Sequence, residues 1–157
     1  MEYKLEDAHA LLRLNFAPQH IADGKVLPSA INLQDLETRG FSLDAEPLVQ
    51  IETLVERAAS QSASKPEERK SPFLSRFQYI EVREIELNDA KAFDIFHSPV
   101  AEDAANDVRA NFAHVSLVCT KAAVGKSQYR KARLLLLPYL QNLVCLNAYI
   151  SGLPREA

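Results

Sequence analysis

Two short segments of alternating apolar residues constrain the fold of this chain more than any other feature. The segments 93–99 and 111–120 show the period-two pattern of a β-strand, and each carries one histidine, His97 and His114. An acidic loop over 102–107 lies between them. Consecutive strands usually lie next to each other in a sheet. The pattern therefore predicts two neighbouring strands with a candidate site at their histidines.

The other elements follow from helical spacing and from turn residues. Apolar residues recur three and four positions apart over 47–60 and over 127–137, which predicts a helix in each segment. The leucine-rich stretch after Pro138 either continues the second helix beyond a kink or forms another helix through Ile150. Strands are predicted over 12–16, 41–44, 77–87, 92–97 and 112–120. We therefore expect an α+β fold, in which a small, mostly antiparallel sheet is packed by a C-terminal helix and one or two further helices.

Length and one polar stretch bear on domain organisation. A chain of 157 residues favours one α+β domain over 1–157. The segment 61–72 is polar and charged, but neither side of it is large enough to build a stable core alone. We interpret it as a mobile surface linker within that single domain.

The amino terminus and the cysteines indicate the compartment. No basic start followed by an apolar core is present, so a signal peptide is not predicted, and the apolar run 134–137 is too short to span a bilayer. Cys119 and Cys145 are too few for a disulfide framework, and no Cys-x-x-Cys pair exists. We expect a cytoplasmic protein without membrane contact, resident metal or cofactor.

Charge is divided unevenly along the chain. The net charge is −3, yet from Leu117 onward six basic residues face a single acid. The cluster Lys121, Lys126, Arg130, Lys131 and Arg133 is a candidate surface for an anion, an acidic protein partner or nucleic acid. A solvated helix face, or pairing with the acidic part of the same chain, is the alternative.

A Gly-Lys-Ser tripeptide lies inside this basic region. Gly125-Lys126-Ser127 follows a predicted strand and precedes a predicted helix, as in a phosphate-binding loop. Thr120 stands where that loop needs its first glycine, and no aspartate follows Asp107 to bind magnesium. The tripeptide is therefore interpreted as a loop glycine followed by an N-cap serine.

His114 is the principal candidate for chemistry. His114-Val115-Ser116 resembles half of the signature of the two-histidine phosphoesterases, which implies an acid or base acting on a phosphate ester. The second half is missing, because Ser98-Pro99 follows His97. A hydrogen-bonded structural histidine is the alternative. So is a metal site assembled from His97, His114, Glu102, Asp103 and Asp107.

A second resemblance spans most of the chain. The segments 13–16, 27–30, 40–44, 99–103 and 112–115 occur in an order similar to that of a loose group of small bacterial proteins of unassigned function. The resemblance implies a bacterial protein but brings no activity. Polar residues within apolar motifs need partners, so it suggests that certain of them converge in space. These are Arg13, Ser29, Ser42, Asp44 and His114.

Two functions follow as hypotheses. The first is a non-enzymatic subunit of a larger complex, whose basic C-terminal region contacts a protein partner or nucleic acid. The second is an enzyme acting on a nucleotide or phosphate ester, with His114 as acid–base, Arg13 as phosphate clamp and Ser42 or Ser116 as hydrogen-bonding support. A solvent-reachable cleft shared by His114, Arg13 and Ser42 favours the enzyme. A buried His114 bonded only to backbone disfavours it.

The leucine-rich C-terminal segment also predicts an interface. As a helix it would be apolar on more than one face, and a sheet this small is not expected to cover it fully. We expect Tyr139, Leu143 and Tyr149 to lie in a contact with a protein partner or in a homodimer. The alternative is that a kink at Pro138 folds both halves onto the same core.

Overall fold

A six-stranded antiparallel sheet is the frame of the molecule. The computed structural model describes residues 3–152. The sheet has the order β10-β5-β1-β4-β9-β8. Its strands are β1 (Ala10–Pro18), β4 (Phe41–Ala45), β5 (Arg69–Gln78), β8 (Phe93–His97), β9 (His114–Cys119) and β10 (Leu143–Cys145). Two small hairpins lie outside it, β2 (Ile21–Ala22) with β3 (Lys25–Val26), and β6 (Glu86–Leu87) with β7 (Ala90–Lys91).

Helices cover both faces of this sheet, and the predicted α+β class is confirmed. The helices are α1 (Ile51–Ser64), α2 (Tyr79–Arg83), α3 (Lys126–Leu136) and α4 (Leu146–Ser151). Short helical turns lie at Pro28–Ala30, Asp35–Arg39, Glu46–Leu48, Ala104–Asn106 and Leu137–Gln141. One face carries the larger core cluster, which takes in α3 and the turn Leu137–Gln141. The opposite face carries a smaller cluster beneath α1 and α4.

Alternation along β4 and β9 separates apolar from polar side chains. In β4, Phe41 and Leu43 point into the larger cluster, and in β9 Val115 and Leu117 do so. Because successive side chains of a strand point to opposite faces, the residues between them face the other way. The register places Ser42 opposite Ser116 and Asp44 opposite His114 on that second face.

The pairing of β1 is continuous on one side and short on the other. β1 pairs with β5 along its whole length, but its pairs with β4 are Leu11↔Ala45 and Leu12↔Asp44. Beyond Leu12 no further β1–β4 pairs are made within the described part of the chain. β1 and β4 therefore part beyond Leu12, and the opening between them lies at the candidate site described below.

Two predictions about the middle of the chain are wrong. The segment 77–87 is not a strand, because β5 ends at Gln78 and α2 follows, which buries Val82 at helical spacing. The segment 61–72 is not a linker, because α1 extends to Ser64 and β5 begins at Arg69. Pairing of β5 with β1 gives this polar stretch its regular structure.

The C-terminal segment also differs from its prediction. After α3 the chain forms the turn Leu137–Gln141, then β10 on the free edge of β5, and only then α4. Tyr139 and Leu143 pack against the larger cluster and Tyr149 against the smaller one. Their participation in an interface stays a prediction. Within residues 3–152 no helix is both long enough and apolar enough to cross a bilayer.

Candidate functional site

A cleft of about 350 Å³ opens on the polar face where β1 and β4 part. Side chains from β1, β4, β5 and β9, from α1 and from the adjoining turns line it. Its polar members are Arg13, His20, Ser42, Asp44, Arg57, Gln61, Arg69, Asn111 and His114. Arg13, Ser42 and His114, which the sequence groups as one hypothetical site, therefore share one cleft.

Ser42 and His114 form a hydrogen-bonded pair at this cleft. His114 Nε2 lies 3.0 Å from Ser42 Oγ, and His114 Nδ1 lies 2.8 Å from the carbonyl oxygen of Ser98. A carbonyl oxygen can only accept a hydrogen bond, so Nδ1 carries the ring proton. The Nε2 lone pair is then free to accept the Ser42 hydroxyl proton. A hydroxyl, an imidazole and an orienting acceptor stand in the order used by serine nucleophiles.

Ser98 and Ser116 support the position of the His114 ring. The Ser98 amide donates to the carbonyl oxygen of His114 over 2.9 Å, so the chain stays in register just beyond β8. Ser98 Oγ lies 2.9 Å from His114 Nδ1 and 2.7 Å from Ser116 Oγ. Gly40, at φ +93°, approaches so closely that an added Cβ would lie 3.0 Å from Ser116 Oγ. The imidazole is therefore held by backbone and hydroxyl contacts.

Arg13 occupies the gap between β1 and β4. Its Nη1 donates to the Ser42 carbonyl oxygen over 2.9 Å, and its guanidinium lies 4.2 Å from the centre of the Phe41 ring. Its buried Nε has no partner among residues 3–152. Burial lowers the pKa of Arg13 to about 10, against the opposing effect of Asp35 and Asp44. Arg13 thus stays cationic at neutral pH and keeps donor capacity.

Asp44 is buried, and its carboxylate is already occupied. Arg57 donates a hydrogen bond to each of its oxygens, from Nη1 to Oδ1 over 3.1 Å and from Nη2 to Oδ2. Asn111 Nδ2 donates to Oδ1 over 2.8 Å. Both oxygens of the carboxylate are thus engaged by neighbouring donors. Its role in the cleft is to fix Arg57.

Arg69 and His20 form the far wall. Arg69 Nε donates to Gln19 Oε1 over 2.8 Å, and its Nη1 donates to the Gln61 carbonyl oxygen over 3.2 Å. Burial, assisted by the cations Arg13, Arg69 and Lys65, lowers the pKa of His20 to about 4. His20 is therefore neutral at neutral pH.

The cleft has an excess of positive charge. Three guanidinium groups, those of Arg13, Arg57 and Arg69, face one carboxylate, that of Asp44. Two positive charges are therefore uncompensated. Guanidinium groups match phosphate and carboxylate geometry through paired donors. The arrangement suits a ligand with about two negative charges, such as a phosphate monoester.

The structure separates two residues from the predicted group. Ser29 lies exposed in the turn Pro28–Ala30, away from the cleft. His97 is buried on the opposite face of the sheet, because it pairs with Val115 rather than with His114. Its Nε2 donates to the Phe112 carbonyl oxygen over 2.6 Å, and its Nδ1 accepts the Tyr3 amide over 3.2 Å. His97 and His114 therefore do not share a site.

The remaining candidates lie elsewhere. Among residues 3–152 no three His, Cys, Asp or Glu side chains lie close enough together to hold a metal ion. Gly125, not Ser127, caps α3, so the predicted serine cap is wrong. Lys121, Lys126, Arg130 and Lys131 are exposed, whereas Arg133 is half-buried with Nη1 3.5 Å from the Ile31 carbonyl oxygen. Burial raises the pKa of Cys119 to about 11, which keeps its thiol protonated.

Sequence reasoning missed five polar residues of the cleft, which are His20, Arg57, Gln61, Arg69 and Asn111. Arg57 lies on a helix and Arg69 at the start of a polar strand, where both resemble ordinary surface residues. His20 and Asn111 lie in connections. None belongs to a local pattern, so their convergence depends on the sheet order.

Comparison of the chain with protein-family models, with curated proteins and with solved structures gives no match. The case for a function therefore depends on the geometry of the residues themselves.

Proposed function

We propose that this protein is an enzyme acting on a phosphate ester, with Ser42 as nucleophile and His114 as acid–base. One observation carries the proposal: the 3.0 Å contact between Ser42 Oγ and His114 Nε2, at a cleft lined by three arginines. The orientation of the ring supports it, since Nδ1 is engaged by the Ser98 carbonyl oxygen at 2.8 Å.

The proposed reaction proceeds in two balanced steps. Ser42 Oγ forms a bond to phosphorus while its proton passes to His114 Nε2. The bond from phosphorus to the ester oxygen breaks, and that oxygen leaves with the proton from His114. A water molecule then attacks the phosphoserine, gives its proton to His114, and releases phosphate as Ser42 Oγ takes that proton back.

The arginines serve binding and charge stabilisation in this proposal. Arg13 contacts Ser42 directly, because its Nη1 donates to the Ser42 carbonyl oxygen. In this proposal the part of its guanidinium that lines the cleft binds the phosphoryl oxygens. Fixed cations in a partly dry cleft stabilise charge that develops in the transition state.

The experiment compares the purified protein with two variants on a panel of phosphate monoesters, beginning with p-nitrophenyl phosphate. Ser42→Ala removes the nucleophile, and His114→Asn removes the base but keeps an amide donor for the Ser98 carbonyl oxygen. We expect each to lower kcat by about 10²- to 10⁴-fold. Ser60→Ala, on the exposed side of α1, is the matched control.

Intact mass spectrometry of a rapidly quenched reaction should detect one added phosphoryl group in the wild type and not in Ser42→Ala. Undiminished turnover by Ser42→Ala would exclude it as nucleophile.

A second function is supported by a different surface. Lys126, Arg130 and Lys131 project from the exposed side of α3, and Leu134 beside them is 60% exposed. We infer that this basic surface binds an acidic protein partner or nucleic acid. Arg133 is not part of it, because its side chain turns toward the Ile31 carbonyl oxygen.

A double charge reversal, Arg130→Glu with Lys131→Glu, tests the basic surface. Binding to a duplex oligonucleotide or an acidic peptide should fall at least about tenfold, and wild-type affinity should decrease linearly with salt on a log–log plot if phosphates are contacted. Unchanged affinity in the double variant would remove α3 from consideration. Turnover at the cleft serves as the folding control.

A further inference from the structure

His20 is held rigidly at one end of the cleft. It lies in the turn between β1 and β2, where its amide donates to the Phe16 carbonyl oxygen over 2.7 Å. Its carbonyl oxygen accepts the Leu27 amide over 2.8 Å. The Phe16 amide in turn donates to His20 Nδ1 over 3.0 Å. Both backbone groups and one ring nitrogen of His20 are therefore committed to the fold.

These contacts fix the position of the ring proton. Because Nδ1 accepts the Phe16 amide, it must present a lone pair, and a neutral imidazole then carries its proton on Nε2. Nε2 has no hydrogen-bond partner among residues 3–152, and the side chain lines the cleft. His97, on the opposite face, differs in this respect, because both of its ring nitrogens have hydrogen-bond partners.

The surroundings keep this ring neutral. Arg13 of β1, Arg69 of β5 and Lys65 of the turn before β5 all oppose a positive charge on it, and burial opposes it further. Asp44, the carboxylate of the cleft, is engaged by Arg57. Protonation would also break the contact with the Phe16 amide. The cleft thus holds two histidines of opposite tautomer. His114 directs its accepting nitrogen toward Ser42, and His20 directs a donor toward the cleft.

We propose that His20 is a substrate-binding residue that donates a hydrogen bond from Nε2–H to a phosphoryl oxygen of the ester. The assignment rests on the proposed function of the cleft. His20 adds a neutral donor to a site whose other donors are cations, and His114 alone exchanges protons with the reacting atoms. The two histidines cannot exchange these roles, because the Phe16 amide prevents His20 from accepting a proton at Nδ1.

Two substitutions separate the donor from its structural support. His20→Asn places an amide oxygen where Nδ1 accepts the Phe16 amide, but it lacks a group at Nε2. His20→Gln places an amide nitrogen near Nε2 and restores the donor. His9→Asn is the matched control, because His9 Nδ1 also accepts a backbone amide, that of Glu6 over 3.0 Å, away from the cleft.

Binding of inorganic phosphate is measured in the Ser42→Ala background, so that the result does not depend on turnover. We expect His20→Asn to weaken phosphate binding by about 10- to 100-fold, the size of a hydrogen bond to a charged group, with Gln recovering most of the loss. His9→Asn should bind phosphate like its parent. Equal binding by His20→Asn and its parent would overturn the assignment.

The ¹⁵N chemical shifts of the His20 ring provide a second measurement. They should show a protonated Nε2 and an unprotonated Nδ1 at neutral pH, with phosphate shifting the Nε2 signal. A protonated Nδ1 would also overturn the assignment. If no ester is turned over but phosphate still shifts Nε2, the proposed reaction fails while the donor role of His20 stands.

Discussion

The two faces of one sheet carry different side chains on the same backbone. On one face, β4 and β9 contribute Phe41, Leu43 and Leu117 to a closed apolar core. On the other face, the alternate residues Ser42 and His114 meet at an open cleft. The smaller apolar cluster of that second face lies under α1 and α4, toward β1 and β5. The comparison teaches that alternation along a strand separates the residues that build the core from those that line the cleft.

Leu117→Ala should show the largest effect on stability. Leu117 is fully buried in the larger cluster, and removing its side chain leaves a cavity there. We expect a loss of about 2–5 kcal/mol in the free energy of unfolding. Urea denaturation measures it, and turnover of the remaining folded protein should be preserved. A loss below that range would mean that the apolar face does not dominate the stability of the sheet.

Asp44→Asn tests the polar face and should cost less. The substitution keeps the shape of the side chain but removes the charge that Arg57 pairs with. We expect a loss of about 2 kcal/mol, since hydrogen bonds to charged groups contribute about that much. Phosphate affinity should rise at the same time, because a third positive charge becomes uncompensated. Asp94→Asn, on an exposed position of β8, is the control for both measurements. Weaker phosphate binding in Asp44→Asn would contradict the charge account of the cleft.

Acid should destabilise the protein through His20. The pKa of His20 is about 4 in the folded protein, against 6.5 for a histidine in water, so the unfolded chain binds more protons between these values. Stability contributed by the neutral ring is complete above about pH 6.5 and is lost as the pH falls toward 4. The melting temperature of the wild type should therefore fall more between pH 7 and pH 4 than that of His20→Asn. Parallel curves for the two proteins would show that His20 is not the titrating group.

Ser98→Ala should have the smallest effect. The variant removes the hydroxyl near Ser116 but leaves the backbone carbonyl oxygen that accepts from His114 Nδ1. We expect kcat for ester hydrolysis to change by less than about threefold, because the group that sets the tautomer is retained. A loss approaching that of His114→Asn would assign the orienting role to the hydroxyl instead.

The sequence predicts the elements whose pattern is local. β4, β8, β9 and α3 lie within a few residues of their predicted bounds, because alternation or helical spacing continues through each of them. β10 is different. Its residues belong to a leucine-rich stretch that favours a helix, and they become a strand because the edge of β5 offers backbone partners at Ser75 and Leu74.

The candidate site divides in the same way. Arg13, Ser42, Asp44 and His114 could be grouped from sequence, because a polar residue within an apolar strand needs a partner. Arg57, Arg69 and His20 could not, since each depends on which strands become neighbours. The separation of His97 from His114 could not be predicted either, because it depends on the face on which His97 emerges, and a shift of one residue in register reverses that face.

The bond from Arg13 to the Ser42 carbonyl oxygen has a consequence for alignment. One residue supplies both the anchor of the guanidinium and the hydroxyl that meets His114, at 2.9 Å and 3.0 Å respectively. A shift of β4 relative to β1 would therefore change the Arg13 contact and the position of the Ser42 hydroxyl at the same time. Misplacement of about 1 Å between such groups costs about a hundredfold in rate. The alignment of both contacts thus depends on the position of one residue, Ser42.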